Sequence, residues 1–147
     1  MTDAGRLSIA VERLYGALVR QARRRRGEVD PPLTPTQHLA LSTAADDGPL
    51  RLGALAARLG TSDSAATRAV DVLVAAGLAE RVPDPEDGRG VLVAATADGR
   101  ARVADARSVL ESVLAGTDAR LGAADRDRLA ELLERTAAAL ENGDRPA

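Results

Sequence analysis

The sequence predicts a mainly α-helical fold with one small β-hairpin, and three observations carry that prediction. Apolar residues recur at spacings of three and four along most of the 147-residue chain. The 45% hydrophobic content rests on Ala, Leu and Val, with one Tyr and neither Phe nor Trp. The helical period breaks once, between residues 78 and 95, where two short β-type runs flank a polar loop holding two prolines and two glycines. The length suits a single domain, residues 1–147.

The first helix is expected over residues 7–27, with Leu7, Val11, Leu14, Leu18 and Ala22 on one face, Arg23 to Arg26 in its last turn and Gly27 as its stop. Those arginines complement the negative end of the helix and equally suit a neighbouring phosphate. Asp30-Pro31-Pro32 imposes an extended link. Thr34, Pro35 and Gln37 then announce a second helix as N-cap, N1 and capping-box partner, and Asp46-Asp47-Gly48-Pro49 ends it. Leu52, Leu55, Ala56 and Leu59 mark a short third helix closed by Gly60. Thr61-Ser62-Asp63-Ser64 supplies an N-cap and an acidic first turn to a fourth, whose apolar stripe of Ala66, Val70, Leu73 and Val74 runs to Gly77. Two short helices joined by a tight turn are the parts of a helix-turn-helix.

Strands follow at Leu78 to Val82 and Val91 to Ala95, and the loop over residues 83–90 makes the tip of a wing. Thr96 caps a fifth helix carrying Val103, Ala106, Leu110 and Val113; a sixth carries Leu129, Leu132, Leu133, Thr136, Ala137 and Leu140. The expected architecture is a winged helix-turn-helix over residues 33–99, between terminal helices at 7–27 and 100–141. The apolar stripes of those terminal helices exceed what a small winged lobe can cover, so they are expected to dimerise.

Composition narrows the function classes. With no Cys and one His, disulfides, thiolate chemistry and a metal site are not expected, and nothing calls for a cofactor. No glycine-rich phosphate loop or nucleophile elbow appears, and carboxylates scattered over helices are usually solvated faces, so an enzyme is not expected. No apolar run approaches the about 20 residues that span a bilayer. Asp3 and Glu12 do not suit a signal segment, and a cytoplasmic protein is expected. The formal charge of −2 gives no global pull toward nucleic acid. Residues 51–102 balance seven arginines against seven acids, while residues 103–147 set six against nine. That balance also permits a winged-helix module that binds protein in place of DNA.

The fourth helix turns Asp63, Ser64, Thr67, Arg68 and Asp71 away from its apolar stripe. Arg pairs with the guanine edge, Asp accepts from cytosine, and Ser or Thr contacts bases or phosphates; an ordinary solvated face has the same pattern. Arg89, flanked by glycines at the wing tip, suits a narrow groove, and Asp87 is placed to hold its guanidinium in one rotamer.

The run Leu59-Gly60, Ser64, Thr67-Arg68, Val70-Asp71, Leu73, Gly77-Leu78, Glu80-Arg81, then Asp87-Gly88-Arg89-Gly90-Val91-Leu92-Val93-Ala94-Ala95-Thr96 and Gly99, resembles the core signature of the multiple antibiotic resistance regulator (MarR) family. Leu33-Thr34 and Gln37 match the family's second helix, and the resemblance covers nearly the whole chain. Gly90 stands where the family usually has Ser, Ala95 where it has Leu, and Asp63 at a position often basic. The resemblance implies a transcriptional regulator, a repressor binding an inverted repeat of double-stranded DNA as a homodimer. Its implied DNA contacts are Ser64, Thr67 and Arg68, with Asp87 and Arg89 as the wing Asp-x-Arg; Ser62 and Asp63, at the start of the fourth helix, are further DNA-contact candidates. It further implies release by a small aromatic or phenolic effector bound between the dimerisation helices and the winged lobe. Tyr15 and His38 are the ring-bearing side chains available for such a pocket, although a lone His on a helix is more often structural.

Overall fold

A computed structural model of the chain describes residues 3–25, 32–116 and 120–141. The chain divides into two compact units, residues 1–33 and 34–147. The first holds α1 (Asp3–Arg25), a helix on which Leu7, Val11, Leu14 and Tyr15 are all exposed. Arg26 and Gly27, the expected end of its basic turn and its stop, lie outside the described residues.

The second unit runs α2 (Pro35–Asp46), β1 (Leu50–Arg51), α3 (Leu52–Leu59), α4 (Asp63–Ala75), β2 (Ala79–Pro83), β3 (Val91–Ala95), α5 (Ala97–Ala115) and α6 (Ala123–Glu141). It is the mainly helical winged architecture that the sequence predicts. At the start of α2, Thr34 Oγ1 accepts from the Gln37 N–H at 3.2 Å while Gln37 Oε1 accepts from the Thr34 N–H at 2.9 Å, the complete capping box. Leu41 of α2, Leu55 of α3, and Val70 and Leu73 of α4 are the largest fully buried side chains, so three helices meet at one apolar centre. Each such side chain contributes roughly 1.5–3 kcal/mol of burial free energy.

The sheet has three antiparallel strands in the order β1-β3-β2, with Leu50 opposite Val93 and Arg51 opposite Leu92 on one side, and Ala79 opposite Ala95 and Pro83 opposite Val91 on the other. β1 is an addition to the predicted hairpin. A two-residue strand shows no alternation, and its partner lies some forty residues away in sequence. Leu78, expected to begin a strand, instead closes the preceding helix: its N–H donates to the Leu73 carbonyl at 2.9 Å, and its own carbonyl accepts from the Thr96 N–H at 3.1 Å.

Thr96 Oγ1 accepts from the Gly99 N–H at 3.0 Å and donates to the Gly77 carbonyl at 2.7 Å, tying the start of α5 to the turn before β2. A Cβ on Gly99 would lie 1.9 Å from the Leu78 carbonyl oxygen, so the close approach there requires glycine. Arg107 of α5 pairs with Asp46 of α2 at 2.5 Å. Along α6, Leu129, Leu132, Leu133 and Leu140 are exposed, and Glu131 pairs with Arg128 at 2.6 Å and lies 3.7 Å from Arg135. Among the described residues no helix is long and apolar enough to cross a membrane, and no group of three or more His, Asp or Glu could hold a metal.

Candidate nucleic-acid interface

The turn between α3 and α4 fixes how α4 leaves the core. Gly60 takes a left-handed conformation (φ 61°) at the end of α3, and Ser62 Oγ accepts from the Ala65 N–H at 3.2 Å to cap α4. Ala66, Ala69, Val70 and Leu73 are buried, which turns Asp63, Ser64, Arg68 and Asp71 outward and leaves Thr67 half-buried. The hydroxyls on this surface are partly committed: Ser62 Oγ lies 3.1 Å from Ser64 Oγ, and Thr67 Oγ1 donates to the Asp63 carbonyl at 2.7 Å. Asp71 is bound to Arg81 of β2 at 2.5 Å. Asp63, at the first position of α4, sits where a helix favours negative charge. Among the described residues the Arg68 guanidinium has neither ion pair nor hydrogen bond, so it is the free cation of this face.

The loop over residues 84–90 is folded on Asp84, the one buried charged side chain among the described residues. Asp84 Oδ1 accepts from the Glu86 N–H at 2.9 Å, the Asp84 N–H donates to the Gly90 carbonyl at 2.9 Å, and the Gly90 N–H to the Asp87 carbonyl at 2.7 Å. The Glu86 amide, with help from Arg51, holds the Asp84 carboxyl below the ordinary carboxylate range against the opposing effect of burial. Asp87 Oδ1 accepts from the backbone N–H of Arg89 at 3.2 Å. It does not grip the Arg89 guanidinium, contrary to the expectation from spacing: an Asp two residues upstream reaches the local amide in an Asx-type turn first. The Arg89 side chain is exposed and, among the described residues, unpaired.

Arg51 was not among the candidates from sequence. Its Nε and Nη2 both donate to Asp84 Oδ2, at 2.9 and 2.6 Å, and Nη2 lies 3.6 Å from Asp87 Oδ2. It occupies the N-cap position of α3 without making a capping bond. A cation at the positive end of a helix, where Ser, Thr, Asp or Asn is preferred, was the available signal that this arginine is used elsewhere.

The two effector candidates fall in different units, Tyr15 in residues 1–33 and His38 in residues 34–147. His38 is half-buried, and burial first, then the positive charges of Arg102 and Arg107, lowers its pKa below 6.5, favouring neutral imidazole.

Residues 32–90 match the MarR family. The chain is 37% identical over 126 residues to an HTH-type transcriptional regulator of Mycobacterium bovis, spanning 86% of this chain and 84% of that protein. It is also similar to the structure of the multiple antibiotic resistance repressor MarR, at 27% identity and TM-score 0.71 over 92% of this chain and 96% of that one. A third likeness is to BpsR of Bordetella bronchiseptica, solved in connection with regulation of its DNA binding by 6-hydroxynicotinic acid, at 28% identity and TM-score 0.56 over 84% and 98%.

Proposed function

Because this chain belongs to the MarR family of helix-turn-helix transcriptional regulators, we propose that it is a cytoplasmic repressor that binds an inverted repeat of double-stranded DNA as a homodimer and leaves it when a small aromatic ligand binds. The observation that carries this function is the pair of exposed arginines without a partner among the described residues, Arg68 on α4 and Arg89 at the wing, on the two elements with which a winged helix-turn-helix engages a duplex. Ser62, Asp63, Ser64 and Thr67 surround the first, and Asp87 shapes the turn that carries the second. Exposed leucines on α1 and α6 support dimerisation, since apolar faces of this extent call for a partner.

For the effector, His38 is the contact residue proposed within residues 34–147. The support is the neutral imidazole of His38, able to accept a hydrogen bond from a phenol, together with the regulation of BpsR by a hydroxylated aromatic acid.

The test is protection of an inverted repeat upstream of the protein's own or a divergent gene, with half-sites about one helical turn apart, alongside light scattering. Protection of a symmetric site by a species of twice the chain mass is the expected result. A monomer at micromolar concentration that leaves such DNA unprotected overturns it. The balanced charge of residues 51–102 permits protein binding as the second reading, and that takes the lead if Arg68→Ala and Arg89→Ala bind DNA as the parent does.

A further inference from the structure

We propose that Arg51 is a positioning residue for DNA binding: it braces the wing from a neighbouring strand and cancels carboxylate charge that would otherwise repel the phosphates Arg89 must approach. The inference rests on the DNA-binding function proposed above. Residues 84–90 set Asp84, Glu86 and Asp87 against Arg89, so the segment alone carries a charge of −2, the wrong sign for a partner that is itself a line of negative charge.

Arg51 arrives from outside that segment. Its place in β1, opposite Leu92 of β3, sets it beside the strand that leaves the wing. The two bonds from Nε and Nη2 engage Asp84 Oδ2, leaving Oδ1 to hold the Glu86 amide, so a single carboxylate joins β1 to the loop. Asp87 lies within reach of the same Nη2 at 3.6 Å. Gly90 lets the loop close over this pair, because a Cβ there would lie 3.0 Å from Asp84 Cβ and 3.2 Å from Asp84 Oδ2. Helix α3 does not account for the arginine, since a cation at its N-terminus opposes the helix dipole and makes no cap.

The experiment measures affinity of the full chain for its operator at several salt concentrations, for the parent, Arg51→Gln, Asp84→Asn, the double variant and Arg89→Ala. Amide exchange of Glu86 and Arg89 is measured in the absence of DNA. Arg51→Gln is expected to weaken binding about tenfold and, because the unbraced wing no longer brings Arg89 to its phosphate, to flatten the logarithmic salt dependence by about one charge per subunit. Combining it with Asp84→Asn, which keeps the oxygen that accepts from Glu86 and removes the stranded charge, is expected to restore affinity to within about twofold of the parent.

A double variant as weak as Arg51→Gln overturns the proposal, because it makes Arg51 a phosphate contact in its own right; parent-like binding by Arg51→Gln overturns it too. Should the parent bind no DNA, the regulatory function fails separately, and exchange decides the brace. Faster exchange in Arg51→Gln that returns toward the parent rate in the double variant supports it, and unchanged exchange refutes it.

Discussion

Helix α4 and the wing each present one arginine that is unpaired among the described residues, and they hold it by different means. In α4 the backbone itself sets the direction: four buried apolar residues seat the helix, Ser62 caps it, and Arg68 points where the helical period puts it. The wing has no such lattice. Its loop is shaped by a buried carboxylate, two short-range backbone bonds and an arginine from another strand. A helix can thus carry a contact residue on local rules alone, whereas a loop needs side chains spent on its own support.

The comparison is most easily broken at the seat of α4. Leu73, 1% exposed, should cost about 2–5 kcal/mol when changed to Ala, and thermal unfolding should show the whole winged unit losing stability; a loss under about 1 kcal/mol would mean that α4 is not seated through this side chain. The two arginines come next. Arg68→Ala should cost about 1–3 kcal/mol on the best operator and relax preference at one symmetric pair of positions. Arg89→Ala should weaken binding evenly across sequences and reduce the salt slope by about 0.9 per subunit. Identical specificity profiles for the two variants would erase the distinction between helix and wing.

A smaller effect is expected at the cap. Ser62→Ala should lower stability by about 1 kcal/mol, read from denaturant midpoints, and no shift would show that the Ala65 amide is satisfied without the hydroxyl.

The smallest effect concerns pH. The His38 pKa is lowered in the folded chain, so the unfolded chain binds the extra proton first as pH falls. The stability is therefore complete above 6.5, the unfolded value, and declines as pH drops from there toward the folded pKa. In His38→Gln the melting temperature should fall less between pH 7 and pH 5 than in the parent, and equal slopes would remove His38 as the source.

What was legible in the sequence follows the same division. Thr34, Pro35 and Gln37 act within four residues of one another, and their roles could be read directly from spacing, while the N-cap of α4 was legible only to within residues 61–64. The apolar stripe of α4 was equally plain, because a period of 3.6 residues needs no knowledge of the partner. The partnership of Arg51 with Asp84 spans 33 positions and has no periodic trace. Asp87 was legible as part of the wing and misread in detail, since spacing alone did not rank the Arg89 amide above its guanidinium. Leu78 adjoins the β-type run in sequence, but the turn after α4 claims its backbone.

The contact between Gly99 and the Leu78 carbonyl has a mechanical consequence. With the Thr96 hydroxyl bonded on both sides and no room for even a methyl group, the first turn of α5 and the root of β2 form one rigid knuckle. We expect a tilt of α5 to carry the root of β2 with it, and a pivot that re-aims Arg89 independently of α5 to sit farther out, in the loop over residues 84–90.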